Sequence, residues 1–195
     1  ARFPLSGLDI TERLISLLED DGYRMFKTDA QRMKADEIKM ATAHVQTSSL
    51  VSSSLSSASR VLESLSKKIV PFRLDDGTEL LIGDPSWRCA EILFQPSQLG
   101  LDVRGIHEYI CDMVKKFEHK PSVAENVYLV GGTAIIPGLR QRIQLEVQKL
   151  LPHHMVFVDL TSKAQYSAWI GGALLARSPD FKECLLSREE YVAEY

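Results

Sequence analysis

The sequence predicts an α/β fold, because short β-prone runs alternate along the chain with stretches whose apolar residues recur at helical spacing. The clearest example is the apolar run 126–130, which enters a glycine turn and is followed by a helical pattern through Ile143 and Val147. A further apolar run spans 155–160. Strand, glycine turn, helix and strand in succession are typical of the α/β class.

The composition argues against several classes of protein. The 195 residues are 45% hydrophobic and 25% charged, which describes one or two globular domains. A net charge of −3, with the basic residues scattered, provides no electrostatic footprint for nucleic acid. No apolar run approaches the roughly 20 residues that span a bilayer, and no signal pattern opens the chain. We therefore expect a cytoplasmic or nuclear protein with no direct contact to nucleic acid or membrane.

The cysteines and the first residue add two expectations. Cys89, Cys111 and Cys184 are odd in number and far apart, which predicts buried, reduced thiols and no disulfide framework. The chain opens at Ala1 without an initiator methionine, which suggests that the sequence begins inside a longer protein.

Two helices are predicted near the start of the chain. The first has Asp9 or Thr11 as its N-cap and ends at Gly22. The second runs over 29–44 and carries charges around a few apolar residues. Its apolar positions are Met33, Ile38 and Met40.

A biased segment and a hairpin follow. Residues 47–59 are rich in serine, which predicts a solvated loop and leaves regulatory phosphorylation as an alternative. Asp76-Gly77 separates two β-prone runs, 67–74 and 78–83. Because glycine accepts the positive φ of a tight turn, this pattern indicates a hairpin.

Further helices are predicted downstream. Residues 89–95 form a short helical pattern that Pro96 ends, and residues 106–117 form a longer one. The core face of the longer helix consists of Ile106, Ile110, Met113 and Val114. The segment 166–176 is rich in alanine and glycine, so we expect it to pack closely against a helix or a sheet.

The junction at Gly131, Gly132 and Thr133 is the one place where the sequence suggests local chemistry. Glycines let backbone N–H groups approach an anion, and a following helix adds a favourable dipole. Tight strand-to-helix turns need glycine anyway, so a purely structural turn is the commoner interpretation. The chain contains no P-loop, no zinc-binding spacing of histidines and no nucleophile elbow. The sequence therefore predicts no catalytic residues and no metal ligands.

Taken together, the motifs resemble those of one family. The segments 129–138 (LVGGTAIIPG) and 166–173 (YSAWIGGA) are similar to the C-terminal signature of actins and actin-related proteins. Three further segments agree with that family in order and spacing: LSGLDIT at 5–11, LFQPS at 93–97 with GIHE at 105–108, and SREEY at 187–191. The resemblance covers essentially the whole chain.

The resemblance implies the actin-like (ribonuclease-H-like) ATPase superfold, of which this chain resembles the second half only. On this basis residues 1–8 and 99–195 belong to the α/β core, and 9–98 form a smaller inserted subdomain of helices and a hairpin. The family holds ATP or ADP with Mg²⁺ in a cleft between two halves. The phosphate loops and metal ligands belong to the other half, so this chain alone is not expected to be an enzyme.

The resemblance also implies cofactor-binding residues. Gly7 would face the sugar, Lys39 would lie near adenine, and the turn of Gly131, Gly132 and Thr133 would line the phosphate and ribose. Ile135 and Ile136 complete this predicted set. The chain departs from actins at Met40, where they place a ribose-binding glutamate, and at Ile136 and Gln165, where they place a tyrosine and a lysine. These departures imply a loosely held base and ribose.

Two surfaces are implied as partner-binding sites. Leu174, Leu175, Ser178 and Cys184 match the cleft in which amphipathic helices dock, although core packing is the commoner role of helical leucines. Leu99 and Leu101 lie in the segment that corresponds to the apolar plug of actin filaments.

Three functional hypotheses result. The first is a structural or scaffold subunit of a larger cytoskeletal or nuclear assembly, such as a dynein-adaptor complex or a chromatin remodeller, with weak or non-hydrolysing ATP binding. Its partners would be proteins of a multi-subunit complex, with actin and other actin-related proteins among the candidates. The second is a filament-forming actin-like ATPase. The third is a sugar kinase or chaperone ATPase of the same superfold.

Overall fold

Helices outnumber strands in the computed structural model, which describes residues 2–24, 26–47, 69–117 and 121–194. The helices of this part of the chain are α1 (Gly7–Asp20), α2 (Asp29–Thr42), α3 (Pro85–Glu91), α4 (Ile106–Lys116), α5 (Leu139–Leu150), α6 (Ser167–Ala176) and α7 (Arg188–Glu194). The strands are β1 (Val70–Arg73), β2 (Glu79–Ile82), β3 (Val127–Leu129) and β4 (Val158–Leu160). Short 3-10 turns lie at Pro96–Leu99, Pro121–Val123, Thr133–Ile135, Ala164–Tyr166 and Pro179–Cys184. The mixture of helix and sheet agrees with the predicted α/β class.

The N-cap of helix α1 is Ser6, which lies three residues before Asp9 and five before Thr11. Ser6 has an extended backbone, and its hydroxyl accepts a hydrogen bond from the N–H of Leu8 at 3.3 Å. In return the Asp9 carboxylate accepts the backbone N–H of Ser6 at 2.7 Å, so the two residues form a capping box. The prediction of Asp9 or Thr11 as N-cap was therefore wrong. Asp9 caps from the third helical position, and the Thr11 hydroxyl bonds to residues of the helix and of α2.

Replacing Ser6 by alanine is expected to lower the free energy of unfolding by about 1 kcal/mol at neutral pH. Hydrogen bonds from Ser6 lower the pKa of Asp9 in the folded protein. The stability that these bonds contribute is therefore present above the unfolded pKa of the carboxyl group and disappears as the pH falls through its folded pKa. Urea unfolding of both proteins at pH 7 and pH 3 measures the difference. An equal destabilisation at both pH values would contradict the role of the Asp9 carboxylate.

Helix α2 packs through small residues. Ala35, Ile38 and Thr42 are buried, whereas the side chains of Met33 and Met40 are 72% and 70% exposed. The two methionines, predicted as apolar positions of the helix, therefore do not form its packing face. Small side chains at 35 and 42 let the helix lie close to its neighbours, and sequence periodicity weighted towards large residues overlooks them.

The predicted hairpin is present. Strands β1 and β2 pair antiparallel, with Val70 opposite Ile82 and Arg73 opposite Glu79, and Gly77 adopts a φ of 87° in the turn. Leu80 and Ile82 point into the core, in accord with the period-two alternation of a strand. The serine-rich segment predicted as a loop falls, from residue 48 onward, outside the described residues.

Strands β3 and β4 form a parallel pair, with Val127 opposite Val158 and Leu129 opposite Leu160. Helix α5 connects them and buries Ile143 and Val147 completely. The second strand begins at Val158, three residues later than the predicted run 155–160. This β–α–β unit carries the Gly-Gly-Thr turn at the carboxyl end of its first strand.

A buried ion-pair network joins α5 to α3. The guanidinium of Arg142 donates to Glu91 Oε1 at 3.2 Å, to Glu146 Oε1 at 2.7 Å and to the backbone oxygen of Gln46 at 2.8 Å. The same group lies 4.9 Å from the centre of the Phe94 ring. The side chains of Arg142 and Glu91 are only 5% and 7% exposed. Burial raises the pKa of Glu91, and the nearby Arg142 opposes that effect.

A close backbone contact fixes the segment that follows α2 against the start of α5. Gly138 adopts a φ of 86°, and a Cβ atom built on it would lie 2.2 Å from the backbone oxygen of Val45. The N–H of Val45 donates to the backbone oxygen of Pro137 at 2.8 Å. Only glycine suits this position, because it has no Cβ and accepts the left-handed conformation.

The structure contradicts two expectations about burial in the C-terminal segment, one for Cys184 and one for helix α6. Cys89 and Cys111 are buried as predicted, and burial raises the pKa of the Cys89 thiol to about 12. Cys184 is exposed. Helix α6 was expected to pack closely, yet it has no buried residue among the described neighbours, and Trp169 is 76% exposed. A helix that is apolar on every side is normally a buried one.

Candidate functional site

A cavity of about 520 Å³ opens where the start of α1, the second half of α2 and the Gly-Gly-Thr turn meet. Six of the seven residues predicted to bind a cofactor line it, namely Gly7, Lys39, Gly132, Thr133, Ile135 and Ile136. The seventh, Gly131, does not line the cavity. Its φ is 97°, and its N–H donates to the backbone oxygen of Ala164 at 2.8 Å, so it shapes the turn instead.

Helix α2 and its C-cap residue Ala43 supply one wall of the cavity through four side chains. Asp36, Lys39, Met40 and Ala43 line the space, and their spacing of three, four and seven residues places them on a single helix face. The acidic end of this face lies one turn before the apolar end. The wall therefore changes from charged to apolar along the helix.

The ammonium group of Lys39 is fully engaged with protein acceptors. Its Nζ donates to the backbone oxygen of Gly7 at 3.0 Å, to the Thr11 hydroxyl at 2.9 Å and to Asp36 Oδ1 in a short ion pair. A lysine ammonium has three protons, and these three acceptors use all of them. Lys39 thus ties the start of α1 to α2 and has no donor left for a ligand in this arrangement.

Asp36 presents a half-exposed carboxylate at the same wall. Its Oδ1 accepts from Lys39 and, at 2.9 Å, from the Thr11 hydroxyl. The hydrogen bond from Lys39 lowers the pKa of the carboxyl, so the group is ionised at neutral pH. Sequence reasoning missed Asp36, although its position three residues before Lys39 places both on one helix face.

The Gly-Gly-Thr turn supplies the opposite wall. A Cβ atom at Gly7 would lie 3.0 Å from Thr133 Oγ1 and 3.8 Å from Lys39 Nζ, so the two walls come together at this glycine. Gly132 has a φ of −63°, and a Cβ there would meet no atom within 4 Å. The side of the turn at Gly132 is therefore open, and larger side chains fit its backbone conformation.

The cavity suits part of a nucleotide. Its volume lies within the roughly 300–1,000 Å³ of small-molecule sites. Exposed Met40 and Ile135 provide apolar surface, and the Thr133 hydroxyl and Gln165 amide are polar groups that could bond to a ligand. Glycines at the wall allow close backbone approach to phosphate or sugar. Within residues 2–24, 26–47, 69–117 and 121–194, no three histidine, cysteine or carboxylate side chains cluster as metal ligands.

The predicted partner-binding residues lie outside this cavity and on the surface. Leu174 and Leu175 are 64% and 58% exposed, and Leu99 and Leu101 are 36% and 38% exposed. Cys184 is also exposed, and Ser178 is half-buried. Exposed leucines on α6 are unusual for a residue type that normally packs in a core.

Comparison with known families shows the family to which the chain belongs. The family model described as Actin matches residues 9–194. The chain belongs to the actin family. This actin-family chain is also 30% identical over 193 residues to an "Actin-like protein" of Neurospora crassa. That alignment covers 97% of the present chain and 50% of the relative, so the chain spans about half the length of the curated relative it matches.

Family membership places the chain in the actin-like ATPase fold. Members of the actin family typically bind ATP or ADP with Mg²⁺, interact with other proteins and reside in the cytoplasm or the nucleus. In the described part of this actin-family chain, no helix combines the length and the apolar character needed to cross a bilayer.

Proposed function

We propose that this chain is part of an actin-related protein that serves as a structural subunit of a larger cytoskeletal or nuclear assembly. In this proposal it contributes one wall of a cleft that binds ATP or ADP with Mg²⁺ weakly and without turnover. The rest of the cleft comes from the other half of the actin fold, to which this sequence shows no resemblance. The observation that carries the proposal is the cavity where Gly7, Lys39, Gly132 and Thr133 meet.

The chemistry of the cavity supports weak binding. Lys39 donates its three protons to Gly7, Thr11 and Asp36. Met40 and Ile136 have no side-chain hydrogen-bond donor. A missing hydrogen bond to a ligand typically costs about 1–3 kcal/mol, or roughly a factor of 5 to 150 in affinity. Base and sugar would rest mainly on apolar surface, with Thr133 and Gln165 as the polar contacts.

Exposed apolar surface supports the role in an assembly. Helix α6 carries Trp169, Leu174 and Leu175 at more than half of their full exposure. Exposed apolar side chains in this number are typical of protein interfaces. The partners would be proteins of a multi-subunit complex, with actin or other actin-related proteins among the candidates. Helix α6 would form one contact surface, and Leu99 and Leu101 would form another.

The proposal is tested on the purified full-length protein. In equilibrium dialysis against millimolar ATP with Mg²⁺, the protein should hold about one adenine nucleotide per chain, and the nucleotide recovered after denaturation should be ATP rather than ADP. Absence of bound nucleotide at millimolar ATP would overturn the cleft. Steady release of phosphate by the protein alone, together with sedimenting polymer, would instead favour the filament-forming ATPase.

Replacing Gly132 by valine is expected to weaken ATP binding by about ten-fold or more, with a change of less than about 1 kcal/mol in the free energy of unfolding. Its φ suits any residue and the space beside it is empty, so the new side chain would disturb only a ligand that approaches the turn. Equilibrium titration with a fluorescent ATP analogue measures the affinity. The matched control is Gly83→Val, also at an open glycine, which should bind ATP normally. Equal affinity in the two variants would remove the turn from the binding site.

A further inference from the structure

The carboxylate of Asp36, a residue that lines the cavity, has an unused acceptor. Lys39 and Thr11 both bond to its Oδ1, whereas its Oδ2 bonds to no described residue. The side chain is 49% exposed, and the residue lines the cavity. Its charge is balanced by Lys39, which reduces the cost of covering the carboxylate with a ligand.

The chemistry of an ionised carboxylate limits what can bind to Oδ2. A carboxylate oxygen accepts hydrogen bonds or ligates a cation, and the ion pair with Lys39 already balances the charge of Asp36, so a partner that carries a proton is favoured. Phosphate oxygens of a nucleotide at neutral pH bring no such proton. The hydroxyl groups of the sugar and the amino group of the base are the remaining donors.

The position of Asp36 along the wall separates these two donors. Lys39 Nζ, bonded to Asp36, lies 3.8 Å from the position of a Cβ at Gly7, which is itself next to the Thr133 hydroxyl. Met40, one turn further along α2, and Ala43, which caps the end of that helix, form the apolar end of the wall. A base has flat apolar faces and fits that end, so the sugar would lie beside Asp36.

We propose that Asp36 Oδ2 accepts a hydrogen bond from a sugar hydroxyl of the bound nucleotide and makes the site selective for ribonucleotides. This inference rests on the proposed nucleotide function. It assigns to Asp36 the contact that Met40 cannot make, from a position one helical turn earlier on the same face.

The first test needs only the wild-type full-length protein and a series of nucleotides. ATP, 2′-deoxy-ATP, 3′-deoxy-ATP and inosine triphosphate are titrated in parallel by isothermal calorimetry with Mg²⁺. We expect removal of one of the two sugar hydroxyls to weaken binding by roughly ten-fold or more, as for other bonds to a charged acceptor. Equal affinity for ATP and both deoxynucleotides would overturn the role of Asp36 and leave the nucleotide site standing. Failure of ATP itself to bind would overturn both proposals.

The second test is the Asp36→Asn variant, which keeps a neutral acceptor for Lys39. Its preference for ATP over the sensitive deoxynucleotide should fall to about one, while its affinity for that deoxynucleotide stays within about two-fold of wild type. Glu37→Gln is the matched control, because this neighbouring carboxylate bonds to Lys34 and does not line the cavity. It should keep the full preference. An equal loss of affinity for all four nucleotides in Asp36→Asn, or a lost preference for ATP over inosine triphosphate alone, would contradict the sugar contact.

Discussion

Replacing Arg142 by methionine is expected to lower the free energy of unfolding by about 3–5 kcal/mol at neutral pH. The change removes the partner of two carboxylates, and Glu91 would be left ionised, with a side chain only 7% exposed. It also removes the hydrogen bond to the backbone oxygen of Gln46 and the contact with the Phe94 ring. Urea unfolding of the two proteins, followed by circular dichroism, measures the difference.

The loss caused by Arg142→Met should shrink as the pH is lowered from 7 towards 5. Burial raises the pKa of Glu91 above its unfolded value, so protonation favours the folded state, and this contribution disappears as the pH rises through the folded pKa. Arg142→Met removes the guanidinium that opposes this effect and leaves, among the described residues, only the hydrogen bond of 3.3 Å from Gln95 to Glu91 Oε1. The matched control is Arg140→Met, on the same helix, where one long bond of 3.4 Å to the backbone oxygen of Val158 is lost. It should cost under about 1 kcal/mol, and a similar cost for both variants would contradict the network.

Replacing Gly138 by alanine is expected to cost about 3 kcal/mol or more. The left-handed conformation costs a residue with a Cβ roughly 1–2 kcal/mol. At this position the new atom would in addition lie 2.2 Å from the backbone oxygen of Val45, so the segment after α2 would have to move. Thermal unfolding by calorimetry measures the shift in melting temperature.

Gly22→Ala isolates the conformational part of that cost. Gly22 has a φ of 98° at the end of α1, and a Cβ there would meet no atom within 4 Å. Its replacement should cost about 1–2 kcal/mol. If the Gly138 and Gly22 variants lost the same stability, the contact with Val45 would carry none of the effect.

Local patterns in the sequence predicted most elements of the fold. The hairpin followed from Asp76-Gly77, and α5 from glycine, proline and helical periodicity. The errors arise where a local signal has two solutions. Ser6, Asp9 and Thr11 can each cap a helix, and only the reciprocal bond between Ser6 and Asp9 decides among them.

The burial of charged groups could not be predicted in the same way. Glu91 and Arg142 are 51 positions apart in the chain, and both are residue types that normally lie on the surface. They meet inside because α3 and α5 pack on a shared core, which no window of sequence contains. The pattern of α6 was misleading for the opposite reason, since its alanines and glycines suggest close packing although none of its residues is buried among the described neighbours.

For the candidate site, the resemblance to actins predicted the walls better than their chemistry. Six predicted residues line one cavity, because Gly7 begins a helix and Gly132 and Thr133 belong to a turn, and local sequence sets the backbone of both. The expectation for Lys39 near adenine omitted its bonds to Gly7, Thr11 and Asp36. Such bonds depend on how α1 crosses α2.

The Arg142 network also bears on how this sequence can change over evolutionary time. Loss of the arginine alone would remove a large share of the 5–15 kcal/mol by which a typical domain is stable, so a lineage that passes through that single substitution is strongly disfavoured. An apolar set of similar volume at positions 91, 142 and 146 would be tolerated, yet it requires concerted replacement. The three positions should therefore behave as one inherited character among relatives, either kept together or exchanged together.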